Sequence, residues 1–251
     1  MDPWWYPALF ATGLVAGFVD AIAGGGGLLT VPVLLATGLS PQDVLGTNKF
    51  QSSCGTTLAT WQYARHGLLD WTELRLGIAA TLVGALAGAF AVTRVSPDFL
   101  RPLIPLLLFT IAIYTAVKHD LGEQARPARL SGSRFSLLFG LGLGFYDGFF
   151  GPGTGSFWTL AGVLVMGFNL LRATAYTKAM NLTSNLASLA VFLPTGHVRF
   201  DLGLIMAAGQ VIGGQLGAHL AIKGGGRVIR PVFLAVVIAL TMKLGWDAVT
   251  R

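Results

Sequence analysis

Four ionisable residues of this 251-residue chain fall inside long apolar stretches: Asp20, Lys49, Asp147 and Lys178. A charge near the centre of a bilayer costs about 2.5–3.5 kcal/mol on insertion scales unless it is paired or hydrated, so such residues are functional candidates by default. The lysines have polar company. Lys49 lies in Gly46-Thr47-Asn48-Lys49-Phe50-Gln51-Ser52, and Lys178 is followed by Asn181, Thr183, Ser184 and Asn185. On a helix, Lys178, Asn181 and Asn185 share a face at i, i+3 and i+7, and Lys49, Ser52 and Thr56 do the same. An ammonium flanked by amides and hydroxyls suits a small oxyanion. The plainer role for Ser, Thr and Asn in lipid is bonding between helices, and it is assigned to Thr56, Thr57 and Ser188. For the aspartates the plainer role is an Asp–Lys pair that pins broken helices together.

Two glycine clusters supply the other half of a site. Gly24-Gly25-Gly26-Gly27 and Gly151-Pro152-Gly153-Thr154-Gly155 are not expected to continue a helix. Backbone released at membrane depth must be buried in protein or line a cavity. The half-helix after each break begins with free N–H groups and a positive dipole end, which suits an anion. The candidate substrate-binding residues are therefore Asn48, Lys49, Gln51, Ser52, Lys178, Asn181, Asn185, Gly25, Gly26, Gly153 and Thr154. Asp20 and Asp147 are coupling or structural charges. No metal-ligand cluster, nucleotide-binding P-loop or Gly-x-Ser-x-Gly elbow is present, so no cofactor, metal or catalytic residue is assigned. Cys54 is read as packing, and His219 as a packing histidine with proton relay as its other role.

The elements that position these residues are hydrophobic helices. The chain is 53% hydrophobic and 11% charged, with mean hydropathy +0.67, whereas soluble domains carry about 25% charged residues. Leu76–Thr93 and Ile104–Val117 contain no charge, and Leu202–Ile222 contains only His219. A spanning helix needs about 20 mostly apolar residues. The runs are continuous, which excludes the alternating pattern of a membrane β-barrel. The net charge of +6 comes from Lys and Arg between the runs. It reads as a topology signal and not as a nucleic-acid surface.

The chain repeats itself. At a shift of 127 positions Gly13, Leu14, Gly17, Phe18, Asp20, Gly24 and Gly26 meet identical residues. At 129 positions Lys49, Gly67, Ala79, Gly84, Gly88, Ala89, Arg101 and Pro102 do so. Each copy has a broken run (Ala8–Ala36; Ser136–Met166), a lysine helix (about Val44–Tyr63; Ala173–Leu193), a third helix (Glu73–Thr93; Leu202–Ile222) and a fourth (Leu100–Lys118; Ile229–Trp246). Gly13-x-x-x-Gly17, Gly84-x-x-x-Gly88 and their counterparts suit close helix packing. The expected fold is all-α: a polytopic membrane protein of two repeats, residues 1–118 and 136–251, around a charged cytoplasmic linker, residues 119–135.

Each broken run either crosses the membrane once or turns back as a hairpin. A hairpin leaves three full spans per copy and inverts the second copy. Setting Lys49 and Lys178 aside leaves 15 of the 17 Lys and Arg. Single crossings divide them 9 to 6 between the two faces, and hairpins 10 to 5. Positive charge favours the cytoplasm, so the count leans to the inverted arrangement, with both termini outside.

The motifs Gly17-Phe-Val-Asp20-Ala-Ile-Ala-Gly24-Gly-Gly-Gly27, Gly46-Thr-Asn-Lys49, Gly144-Phe-Tyr-Asp147-Gly-Phe-Phe-Gly151-Pro-Gly-Thr-Gly155, and Thr177-Lys178 with Asn181, Ser184 and Asn185 resemble the TauE/SafE sulfite exporter family. The likeness covers about residues 8–246. It implies a bacterial inner-membrane secondary transporter, an exporter of sulfite, sulfoacetate or a related small anion, with proton coupling open. The expected partners are that anion and the bilayer, with a homo-oligomer left open. A passive anion channel, and an intramembrane enzyme or sulfur-carrier partner using Cys54, are the alternatives.

Overall fold

The computed structural model describes residues 2–100, 103, 127–229, 231 and 232. Eight helices are complete there, and no strand occurs among the described residues. They are α1 (Trp5–Ala23), α2 (Gly27–Ala36), α3 (Pro41–Arg65), α4 (Trp71–Thr93), α5 (Gly132–Phe149), α6 (Thr154–Leu164), α7 (Leu170–Phe192) and α8 (Phe200–Gly224). The expected fourth helices and most of the linker lie outside the described residues. At 1.5 Å per residue, α3, α4, α7 and α8 are each about 35 Å long, enough for a hydrocarbon core of about 30 Å, and α2 and α6 are about half that.

Local chemistry sets the boundaries. Ser40 caps α3, its side chain accepting the Asp43 N–H, with Pro41 in the first turn. Asp70 caps α4, and Asn169 caps α7 by accepting the Arg172 N–H at 2.9 Å. Ser131 caps α5, so this helix starts at Gly132, inside the stretch expected to be linker. The glycine breaks are shorter than expected. Gly27 already opens α2, and Gly155 lies in the first turn of α6. The turns themselves need glycine: Gly24 and Gly153 sit at φ 76° and 84°, a left-handed region that costs a side-chain-bearing residue.

The apolar stripes are inside out relative to a soluble protein. Helices α3 and α7 are central and pack on each other. They bury Gln42, Asn48, Lys49, Gln51, Lys178, Asn181 and Asn185 among others. The outer helices expose Val15 on α1, Val83 and Phe90 on α4, Leu138 and Phe145 on α5, and Leu204 and Leu216 on α8. His219 is also on the exposed face of α8. Among the described residues α1, α4 and α8 are long and apolar enough to cross a membrane. The polar faces of α3 and α7 are covered by neighbours, which allows a polar helix at membrane depth.

The small-residue stripes decide the pairing. Helix α1 runs alongside α8 in the same direction: Gly13 meets the Met206 backbone, Gly17 that of Gln210, and Gly213 that of Leu14. Helix α4 runs alongside α5 in the same way, Gly84 against Leu141 and Gly88 against Phe145. Each first helix therefore packs on the third helix of the other half of the chain. After the first break the chain comes back on itself, and a Cβ at Gly26 would lie 2.8 Å from the Ala16 carbonyl oxygen. After the second, Phe157 of α6 stacks edge-on with Tyr146 of α5, centroids 5.6 Å apart. At the ends, His197 Nδ1 meets Asp43 Oδ1 at 2.8 Å and Arg172 meets Glu73 at 2.6 Å. The Arg129 N–H donates to Val165 on the face where Arg172 lies.

Candidate functional site

The two breaks meet in the middle of the bundle. A Cβ at Gly24 would overlap Gly155 and Ser156, and one at Gly27 would lie 3.1 Å from Pro152 Cα. Around this meeting point is a polar cleft lined by Asp20, Gly25, Gly27, Asn48, Lys49, Ser52, Asp147, Gly151, Gly153, Thr154, Gly155, Asn181 and Asn185. About 30 Å³ of it is open to the centre of a water-sized sphere, room for about two waters. The central helices α3 and α7 supply the amides and Lys49. The breaks bring their backbone within reach because glycine adds no side chain there.

The sequence-predicted residues mostly gather here. Asn48, Lys49, Ser52, Asn181, Asn185, Gly25, Gly153 and Thr154 line the cleft, together with both aspartates. Lys178, Gln51 and Gly26 stand behind the lining. Gln51 Nε2 donates to Asn48 Oδ1 at 2.8 Å and to Ser52 Oγ at 3.0 Å, orienting both. The Gly26 N–H donates to Asp20 Oδ1 at 3.3 Å. Lys178 is fully buried and points to Asp20, bonding Oδ2 at 3.0 Å and the Asp20 backbone carbonyl. Asn181 and Asn185 reach the cleft lining, whereas the Lys178 side chain, from the same helix, ends at Asp20. Thr56, Thr57 and Ser188 donate back to the Ser52, Ser53 and Ser184 carbonyls of their own helices, and not to a neighbouring helix as their plainer role implies.

The charges pair crosswise between the two halves of the chain. Lys49, on α3, donates to Asp147 Oδ1 at 2.6 Å, and its Nζ lies 3.3 Å from Asn185 Oδ1. The other Asp147 oxygen accepts from Ser184. Lys178, on α7, pairs with Asp20 of α1. Each ammonium thus neutralises a carboxylate at the other half's break, and the four charges sum to zero. Burying such pairs intact is tolerable, while breaking one leaves an uncompensated charge.

Both half-helix N-termini border the cleft. At α2 the amides of Leu28, Leu29 and Thr30 are bonded to the Gly25 and Gly26 carbonyls. These bonds are made within the first turn, while Gly25 and Gly27 line the cleft. At α6 the Thr154 amide bonds Gly151, but Thr154 and Gly155 line the cleft. Two threonines escaped the sequence reading. Thr30 donates to Asn48 Oδ1, and Thr159 bonds Thr177 at 3.1 Å. Both contacts fall at matching positions under the 129-residue shift, and that match was the available signal. Cys54 is a half-buried free thiol on α3 and is not part of the cleft lining.

A profile of the sulfite exporter TauE/SafE family matches residues 9–244. The chain is 42% identical over 240 residues to the probable membrane transporter protein YfcA of Escherichia coli (strain K12), covering 96% of this chain and 89% of the relative. It is 42% identical over 236 residues to the probable membrane transporter protein ORF9 of Sinorhizobium sp, covering 94% and 90%. It is 41% identical over 239 residues to a probable membrane transporter protein of Haemophilus influenzae, covering 95% and 94%. No solved structure matches. With lipid-suited outer helices around a buried polar cleft, and with a family match along nearly its whole length, the chain belongs to the TauE/SafE sulfite exporter family of membrane transporters.

Proposed function

We propose that this protein is a secondary transporter carrying a small sulfur-containing anion, such as sulfite, sulfoacetate or a related organosulfonate, outward across the bacterial inner membrane. The observation that carries the reading is the cleft between the two breaks, where Lys49, three asparagines and Ser52 surround a small polar space. The family's description supplies the sulfur chemistry. The tightness of the cleft favours a carrier that opens to one face at a time over a permanently open anion pore. Neither a cofactor, a metal nor a catalytic step enters this reading. The partners are the anion and the bilayer, and nucleic acid is not one.

In this proposal the chain is two inverted repeats, residues 1–118 and 136–251, joined by a cytoplasmic linker, residues 119–135, and it crosses the membrane several times. Several contacts support the inversion. Hairpins at both breaks place Asp43 and His197 on one face, and Glu73 and Arg172 on the other. Both ion pairs then join neighbours on the same face. Single crossings would separate the partners of each pair by the bilayer. The parallel packing of α1 on α8 and α4 on α5 is common to both arrangements. Transport follows as the repeats rock about the cleft, with Asp20 or Asp147 available to carry a coupling proton.

Sulfite flux in proteoliposomes tests the site. Lys49→Ala removes the cation lining the cleft and is expected to cut flux at least about tenfold, the equivalent of about 1.4 kcal/mol. Lys178→Ala is expected to cut it through loss of the Asp20 tie. Undiminished flux in both variants would sink the lysine assignment.

A further inference from the structure

The two crosswise ion pairs are built differently. Lys178 stands behind the cleft and holds Asp20 twice, through the carboxylate and through the backbone carbonyl, while the Asp20 side chain also takes the Gly26 N–H. These contacts close the first break upon itself. Lys49 and Asp147 both belong to the cleft lining. Gly151 comes so close to this pair that a Cβ there would lie 2.9 Å from Lys49 Nζ and 3.0 Å from Asp147 Oδ1. Asn181 also lines the cleft, is buried, and keeps its Oδ1 without a partner among the described residues. Lys49 is therefore the cation that an anion in the cleft would meet, and the place beside its ammonium is held by the Asp147 carboxylate.

Resting on the anion-transport reading above, we propose that the cargo anion and the Asp147 carboxylate compete for Lys49, so that each monovalent anion bound brings one proton onto Asp147. The charge count requires it. Without cargo, Lys49 and Asp147 sum to zero. An anion added alone would leave one net negative charge buried, which is costly. An anion with a proton on Asp147 restores zero: the ammonium keeps its charge, the carboxylate becomes a neutral acid, and the anion takes its place. Anion and proton then move together in the same direction, and the emptied carrier returns with its ion pair closed.

Among the described residues no other group near Asp147 supplies spare positive charge. On α7, Lys178 is committed to Asp20, and Ser184 and Asn185 are neutral. On α1, Asp20 is the only charged residue, and on α6 the cleft lining is Thr154 and Gly155. On α5 itself the Tyr146 hydroxyl donates to the Pro152 carbonyl at 2.7 Å. On α4, packed along α5, the charged residues Glu73 and Arg75 are confined to its first two turns.

The test is calorimetric titration of the full-length protein with sulfite, in buffers of different ionisation enthalpy across a range of pH. Subtracting the Asp147→Asn variant cancels the titration of sulfite itself. The parent is expected to take up about one more proton per sulfite than Asp147→Asn, and its affinity relative to that variant to fall about tenfold per pH unit in the alkaline range. Asp20→Asn is expected to take up the same proton as the parent. Equal proton counts in the parent and Asp147→Asn, or loss of the proton in Asp20→Asn instead, would overturn the proposal. If Asp147→Asn does not fold, Ser184→Ala decides. Without the hydroxyl that favours the charged carboxylate, tight sulfite binding is expected to extend to higher pH, and an unchanged pH dependence overturns the proposal. Sulfite binding with no extra proton defeats the competition alone and leaves the transporter reading standing. No sulfite binding in any form of the protein removes both.

Discussion

Replacing Lys178 with methionine is expected to destabilise the protein by about 3–5 kcal/mol, the usual cost of stripping one partner from a buried ion pair. Lys178 is 0% exposed and the Asp20 side chain 16%. The ammonium makes two of the contacts at the first break, to Oδ2 at 3.0 Å and to the Asp20 carbonyl. Methionine fills similar volume, so packing changes little and the loss is electrostatic. Among the described residues the Asp20 carboxylate would keep only the Gly26 N–H, at 3.3 Å. Removing the charge as well, in Asp20→Asn/Lys178→Met, is expected to recover most of the loss, because a neutral pair need not be compensated. At about 2–4 °C per kcal/mol for a chain of this size, the single variant should melt about 6–20 °C below the parent in detergent and the double variant within about 6 °C. A single variant melting with the parent, or a double variant no better than the single, would refute the reasoning that a buried pair holds the break.

Two further outcomes test the packing and the topology. Gly88→Ala puts a methyl on the Phe145 carbonyl, whereas a Cβ at Gly142 meets nothing within 4 Å. Thermal unfolding should show Gly88→Ala losing about 1–3 kcal/mol, while Gly142→Ala is neutral or gains up to about 1 kcal/mol from helix propensity. In a Cys54→Ser background, a membrane-impermeant maleimide should label Arg199→Cys in intact cells and Arg129→Cys only after permeabilisation. Labelling of both from the same side would rule out the inverted arrangement.

Composition and run length determined that the chain is a helical membrane protein, because 11% charged residues cannot cover a surface in water. Residue types and spacing also picked out most of the cleft: Asn48, Lys49, Ser52, Asn181, Asn185 and the two aspartates are exceptional at membrane depth whatever the fold. The sequence could not say which lysine meets which aspartate. The pairs are separated by 98 and 158 positions, and crosswise pairing depends on α3 and α7 lying between the two breaks. Nor could it show that Lys178 faces away from the cleft, since a shared helix face leaves open where a long, flexible side chain ends. The half-helix N-termini looked alike because both follow glycine. Only the fold showed that both border one cleft, Gly25 and Gly27 from the first break and Gly153 and Thr154 from the second. Local chemistry thus named the charges and the breaks, and long-range packing decided which of them face the space between the halves.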